Sequence, residues 1–428
     1  MKTRIAFKMR VAFFLLTMLL LALGATPVSG TGFHSSRPAL ASLSNSLVRT
    51  LAPGTAGAEA PAATSGWQII TIPGETKQGE YSSIAVDQGG NPHISFMDET
   101  DVAVKYVRWD GSSWESHTID TLELYAYPST SLALNGDGQP QIAYPYNNPT
   151  SLHHAEWDGV QWKWRKLLVG SPYYASLALK ETGEPCISFL VARLVDYVIH
   201  TNIELVCRSE GTWWSSTTVA VPSILYTSDL FTFFRFHSLA LDSQNRAHIS
   251  YTRRSFAAGN PHGLYYASNS TGAWVTTEVD VAPNVGFFSS LALDSQNRPH
   301  ISYYDLANGD LKYARWNGSQ WIIETVDSDG VVGRYTSLAL DGNGNPHISY
   351  YDATNSDLKY AYWNGGQWRV ETVDSSGRVG GRTSLALDAA GNVHISFYDI
   401  TNGKLKYATN SDGVEHAIYL PLILRQYP

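Results

Sequence analysis

Aspartate paired with histidine is the combination in this chain most capable of chemistry, either as an acid–base couple or as part of a metal ligand set. Five pairs share one spacing: Asp87/His93, Asp242/His248, Asp294/His300, Asp341/His347 and Asp388/His394. Each closes a short predicted hairpin, and counting along the ladder puts the partners opposite one another, within hydrogen-bonding reach. Where one partner is missing, so is the other: Asn135 goes with Gln141, and Lys180 with Cys186. A catalytic dyad needs one singular copy. Five equal copies that are lost jointly are what a repeated structural contact predicts.

The turn Asp341-Gly-Asn343-Gly-Asn345-Pro346 has the spacing of a calcium loop. It lacks the glycine at loop position six, a strand follows it, and copies such as Asp294-Ser-Gln-Asn-Arg298 lose the ligand pattern, so it reads as a hairpin turn. No metal site and no cofactor are expected. Tryptophan pairs flank a second hairpin at Trp109/Trp114, Trp157/Trp162, Trp316/Trp321 and Trp363/Trp368. They fit packing between outer strands, or repeated sugar-stacking sites at the rim.

These residues are positioned by a repeated phrase, Ser290-Leu-Ala-Leu-Asp294, a turn, then Pro299-His-Ile-Ser-Tyr-Tyr-Asp305. Its copies start at Ser83, Ser131, Ser176, Ser238, Ser290, Ser337 and Ser384. A period in the forties built of short alternating strands predicts an all-β fold, a seven-bladed β-propeller with four-stranded blades. Strand A is Ser-Leu-Ala-Leu-Asp and strand B Pro-His-Ile-Ser-Tyr-Tyr-Asp. Strand C is Leu311-Lys-Tyr-Ala-Arg315, and strand D starts at Trp321. Further D strands start at Trp67, Trp114, Trp162, Trp214, Trp274 and Trp368. The last repeat lacks its own tryptophan, so residues 67–72 are expected to complete blade seven and close the ring. The competing strand is Val414–Leu420. Blade three carries an insertion around Leu190–Asn202, and Ile224–Arg235 is a long Phe-rich stretch before blade four.

The chain has 428 residues, 12% aromatic and 16% charged, which suits stacked sheets. Residues 1–30 read as a signal peptide, with basic Lys2, Arg4, Lys8 and Arg10 before the apolar run Val11–Leu23. An uncleaved anchor is the alternative. Either way the bulk of the protein is exported, secreted or on the cell surface, and no membrane span is expected in the mature chain. Removing the four basic residues takes the formal charge from −8 to −8 − 4 = −12. With no basic cluster, nucleic acid is not an expected partner. Residues 31–66 read as a flexible linker, 67–409 as the propeller and 410–428 as a tail. The chain is taken to be a monomer.

The D–A connections read as long, as in Val326–Thr336, and the B–C loops as intermediate. The two sets share one face, which loop length singles out for binding. Two residues before each strand-A serine stand Tyr81, Ser129, Tyr174, Phe236, Phe288, Tyr335 and Arg382. If strand A lines the channel, they ring its mouth; otherwise they cap the blade cores. With Arg334, Arg235 and the strand-B ends Asp98, Asp305, Asp352 and Asp399, such a ring suits a glycan or a protein ligand. Cys186 and Cys207, the two cysteines, fall on facing positions of blade three, where an exported protein can form a cross-strand disulfide.

Over residues 67–409 these repeats resemble the secreted bacterial β-propellers of the sialidase-like, BNR-repeat type. The Asp-box of that group, Ser-x-Asp-x-Gly-x-x-Trp, is absent in that form, and no residue matches its catalytic arginines. The repeat length is also similar to that of seven-bladed fucose-type lectins. The first functional expectation is a non-enzymatic propeller that binds glycan or protein. The second is a glycan-acting hydrolase built from Asp196, Glu204, Asp229 and Arg253–Arg254, in the irregular blades. The third is a structural surface scaffold.

Overall fold

The computed structural model describes residues 66–411 except 75–76, 123–128, 148–149, 168–171, 196–197, 214–215, 227–236 and 256–262. The signal peptide, the linker, the tail and the alternative strand Val414–Leu420 lie outside the described residues. The fold is all-β, with seven blades of four antiparallel strands in a ring and no helix among the described residues. Five blades are separate four-stranded sheets, and blades three and four join into one. Blade five shows the regular plan: A is Phe287–Leu293, B Pro299–Asp305, C Asp310–Trp316 and D Trp321–Asp327.

Strand B of blades one, five and seven reads buried along its whole length, because both of its faces pack against neighbouring blades. The alternating pattern of strand C buries Leu311, Tyr313 and Ala314 and leaves Lys312 half-buried. Each core is therefore shared. Leu311, Tyr313 and Val326 of blade five pack with Leu338, Ile348 and Tyr350 of blade six. Full burial of one such side chain contributes about 1.5–3 kcal/mol.

The ring closes as expected. Gln68–Thr71 pairs antiparallel with Lys404–Thr409, the third strand of blade seven. The Trp67 ring lies 5.3 Å from Tyr360 of blade six, edge to face, and its Nε1 donates to Glu371 at 3.1 Å. Trp368 repeats both contacts one blade earlier, on Tyr313 and Glu324.

A circle of hydrogen bonds runs around the channel. The strand-A serine of each blade accepts the backbone N–H of the next blade's strand A, from Leu132 to Ser83 and on round to Ile84 and Ser384. All seven junctions carry this bond, at 2.9–3.2 Å. A second set runs from the strand-B serine to the residue just before the next strand-A serine. It joins Ser95–Thr130, Ser250–Ser289, Ser302–Thr336, Ser349–Thr383 and Ser396–Ser82.

Several expectations need correction. Strand A extends back beyond the repeated serine, for example Val332–Leu340, so the D–A connection of blades five to six shrinks to residues 328–331. Its length matches that of the C–D turn, residues 317–320, so loop length does not distinguish the faces in the regular blades. The insertion Leu190–Asn202 is largely a prolongation of strands Pro185–Val195 and Val198–Ser209 as one hairpin. Strand Thr217–Tyr226 then pairs in parallel with strand B of blade four at Ser223↔Arg254 and Ile224↔Ser255. The blade-three tryptophan in register is Trp213, one residue before the expected start at Trp214, which lies outside the described residues. Trp213 pairs with Arg208 and packs on His154 at 5.3 Å.

Candidate functional site

The described residues of the predicted ring gather at the mouth of the central channel. Tyr81, Ser129, Tyr174, Phe288, Tyr335 and Arg382 line one cavity of about 230 Å³; Phe236 lies outside the described residues. The floor is hydroxylic, with Ser83, Ser238, Ser290, Ser337 and Ser384 among its lining residues.

The local backbone sets the direction of these side chains. Tyr81, Tyr174, Phe288, Tyr335 and Arg382 all have positive φ, between 47° and 57°. Each sits at a bulge where the A–B register slips, as between Arg334 and Ser337 or between Phe287 and Ser290. The extra residue turns the side chain out of the ladder. For an L-residue this conformation costs about 1–2 kcal/mol, and bulky residues rarely adopt it. Five copies at matched positions mark a built collar, since strained backbone clusters where function requires a particular side-chain direction. The sequence placed these residues; nothing in it signalled their backbone, because Tyr, Phe and Arg do not favour φ > 0.

Collar neighbours brace one another. Phe288 and Tyr335 meet edge to face at 4.6 Å. The Arg382 guanidinium lies 3.7 Å from the Tyr81 ring centroid and pairs with Glu80 at 2.7 Å, which joins blade seven to blade one. Its Nε has no hydrogen-bond partner. His237, also in the lining, is pushed down to about 4 by burial, so its imidazole is neutral at neutral pH. No carboxylate is among the described residues that line this cavity.

The other candidates fall elsewhere. Arg334 flanks the collar, its guanidinium 5.7 Å from the Tyr304 ring centroid. Asp98, Asp305, Asp352 and Asp399 are buried and do not line the cavity. Their carboxylates accept turn N–H groups, as Asp305 does from Ala307 at 2.9 Å and Asp352 from Thr354 at 2.9 Å. Asp98 also pairs with Lys105 at 2.6 Å, and Asp399 accepts from Asn402 at 3.0 Å. Glu204 is buried and accepts from Ser216, Arg253 faces the Tyr265 ring, and Asp196 and Asp229 lie outside the described residues.

The Asp–His pairs are parts of a larger unit. The ladder pairs His93 with Ala85, not with Asp87, because the aspartate sits in the turn. Asp–His separations are 3.6, 3.3, 3.5, 3.9 and 3.5 Å for His93, His248, His300, His347 and His394. The other ring nitrogen meets a strand-C tyrosine: Tyr106, Tyr266, Tyr313, Tyr360 or Tyr407. A strand-D tryptophan packs on each tyrosine, as Trp162 does on Tyr106 at 5.1 Å. Burial pushes the imidazoles below their ordinary value and the phenols above theirs, so the histidine and tyrosine are neutral while the aspartate beside them is ionised. Asp341 Oδ1 accepts the N–H groups of Asn343 and Asn345, so the calcium-like loop closes on itself. The tryptophan pairs pack across their own hairpins, Trp109 with Trp114 at 5.7 Å and Trp316 with Trp321 at 5.6 Å. Cys186 and Cys207, paired in register, form a disulfide where the histidine and its strand-C neighbour would stand.

No protein-family model matches the chain, and no curated protein does. Among solved structures, one of unknown function from Dyadobacter fermentans is similar at 13% identity, with TM-score 0.51, over 80% of this chain and 98% of that one. A polysaccharide lyase of family PL25, an ulvan lyase, is similar at 13% identity, with TM-score 0.56, over 79% and 95%. The same enzyme bound to -[GlcA(1-4)Rha3S]- gives 14% identity and TM-score 0.56 over the same shares. At these identities the likeness is one of fold.

Proposed function

We propose that this is an exported, non-enzymatic propeller that binds a glycan at the mouth of its central channel. The observation that carries the reading is the collar: five side chains in a disfavoured backbone conformation, four of them aromatic, around a hydroxyl-lined cavity. Aromatic faces suit the C–H face of a sugar ring, and hydroxyls suit its edge. The volume, about 230 Å³, is below the roughly 300–1,000 Å³ of pockets for drug-sized ligands, so it suits one sugar ring or chain end. Glycan is put ahead of a protein ligand because a fold relative is a polysaccharide lyase with a bound saccharide. Hydrolysis by two carboxylates has no such groups among the described lining residues, which favours binding over turnover at this cavity.

A glycan array probed with the full chain tests the reading, followed by calorimetry on the hits. Replacing Phe288 and Tyr335 together by Ala is expected to weaken binding at least tenfold while a cooperative melt is retained. An array with no hits, or hits indifferent to that double variant, overturns the proposal. Cleavage of a hit by the purified protein moves the reading to a glycan-acting enzyme.

A further inference from the structure

The outer strand of blade two departs from its counterparts in charge and in one side chain. Trp162–Leu167 carries Lys163, Arg165 and Lys166 and no carboxylate, whereas the outer strands of blades one, four, five and six carry two carboxylates each. Along the sequence these cations are masked by Glu156 and Asp158 just before them. In the fold those carboxylates are taken up, Glu156 by Arg208 at 2.7 Å and Asp158 by Lys163 at 2.5 Å. Arg165 and Lys166 have no ion-pair partner among the described residues. In the same strand stands Trp164, 57% exposed, although tryptophan is highly buried on average. Its position in the ladder is filled by Ser116, Thr276, Ile323 and Val370 in those other blades. The indole is braced. It lies parallel to the His153 ring within 6°, at 5.6 Å, and His153 stacks in turn on Tyr146 at 4.5 Å and 2°. His153 Nδ1 and Asp120 are 3.2 Å apart, which fixes the middle ring. Tyr146 and His153 occupy the places of Asp98 and Lys105, an ion pair at 2.6 Å in blade one. Blade two has exchanged a charge pair for three stacked rings, and the outermost presents more than half of its surface to solvent.

We propose that this strip of the rim is a second binding site, for an acidic polysaccharide: a sugar ring stacks on the Trp164 indole, and uronate or sulfate groups of the same polymer meet Arg165 and Lys166. An aromatic ring already held in place gives a flat apolar face at little entropic cost to the ligand. Lys166 is the ladder partner of His153 and lies on the same side of the strand as Trp164, two residues on. Guanidinium and ammonium groups bind carboxylate and sulfate oxygens by charge-assisted hydrogen bonds. A neutral polymer would leave both cations unused. A nucleic acid would draw on a wider basic surface than this strip, and the chain's formal charge of −8 opposes it. None of these residues lines the channel cavity, so the site does not depend on the function proposed there.

The full chain is titrated with alginate, dextran sulfate, unmodified dextran and a single-stranded oligonucleotide, followed by calorimetry and tryptophan fluorescence. Alginate or dextran sulfate is expected to bind, more weakly as salt is raised, and dextran and the oligonucleotide are expected to bind about tenfold more weakly or not at all. Trp164→Ala is expected to weaken binding of the acidic polymer about tenfold. Arg165→Gln combined with Lys166→Gln is expected to weaken it about 3- to 10-fold, as for two exposed ion pairs. The Phe288 and Tyr335 double variant is expected to bind it as the unaltered chain does. Thermal melts show which variants are folded, and the charge variant carries the test if Trp164→Ala is not. Absence of binding to both acidic polymers, or binding that the folded variants leave unchanged, overturns the inference. So does equal binding of dextran or of the oligonucleotide, and so does loss of binding in the channel variant, which would place the polymer at the channel instead. Self-association in sedimentation that Trp164→Ala abolishes would assign the strip to a second copy of the chain and overturn it as well.

Discussion

Blades five to seven and blades two to four solve the same packing problem differently. The junctions into blades five and six use one kit, and the junction into blade seven keeps its lysine, Lys406 on Asp374, with Phe397 in place of the tyrosine. The strand-D aspartate accepts from a tyrosine and a lysine of the next blade, as Asp280 does from Tyr303 and Lys312, both at 2.8 Å. Asp327 repeats this with Tyr350 at 2.6 Å and Lys359 at 2.8 Å. In the irregular half each part is substituted in kind. Asp120 takes Tyr144 and His153 in place of tyrosine and lysine. Gln141 and His154 exchange the usual places of the imidazole and its partner, at 3.0 Å. Blade three replaces the polar unit with a disulfide. The ring of serine hydrogen bonds is nevertheless unbroken through both halves. The frame of the toroid is therefore held constant, while the layer above it varies.

The largest expected effect lies in the regular half. A Cβ on Gly380, at φ +88, would stand 2.7 Å from the Leu358 Cα of the preceding blade, and Gly333 meets Leu311 in the same way. Gly380→Ala combines a disfavoured dihedral with backbone overlap and is expected to destabilise by about 3 kcal/mol or more. Blade three carries Pro172 two residues before Tyr174, where Gly380 precedes Arg382. Pro172→Ala there is expected to cost less than half as much. Urea melts of the two variants check this, and equal losses would show that the halves share one junction geometry.

Next comes the disulfide. Cys186 and Cys207 close a loop with a sequence separation of 21, so replacing both with Ala is expected to remove about 2–4 kcal/mol. The loss should localise to blade three, seen as hydrogen exchange rising first across Pro185–Val195. Uniform protection loss around the ring would instead mean that the blades unfold as one unit.

Acid probes the buried histidines of both halves without mutation. His93, His248, His300, His347 and His394 are held below their ordinary value, chiefly by burial, and His154 is pushed down to about 3. Below pH about 6.5 the unfolded chain then binds more protons than the folded one, so stability falls as pH falls through that point. The associated aspartates Asp294 and Asp388 are held below their usual range by turn and side-chain hydrogen bonds that outweigh burial. They add a second loss near and below pH 4. The melting temperature should decline in two stages.

Much of this was legible in the residues. Seven copies of one phrase fix the blade count, and the offset of Trp67 from Ser83 fixes the closure, because a strand register is set by spacing alone. The ring at the mouth followed from its fixed distance to each strand-A serine. What spacing does not carry is backbone sign and turn length. The one-residue error at Trp213 arose because two tryptophans are adjacent there; Trp213 stands five residues after its ladder partner Arg208, as Trp321 stands five after Trp316. The serine circle was present as the first letter of every repeat. Its role depends on contact between blades, which a single blade's sequence does not state.

The smallest effect is also the sharpest test of the collar. Tyr335 at φ 57° carries left-handed strain, offset by packing on Phe288. Both Tyr335→Ala and Tyr335→Gly lose that packing, but only glycine also loses the strain. Glycine is therefore expected to be the more stable of the two by about 1 kcal/mol, the reverse of the usual order within a strand. Thermal melts of the two variants read this sign directly. No glycine advantage at Tyr335 would mean that the collar's conformation is not sustained against strain by what the side chains do.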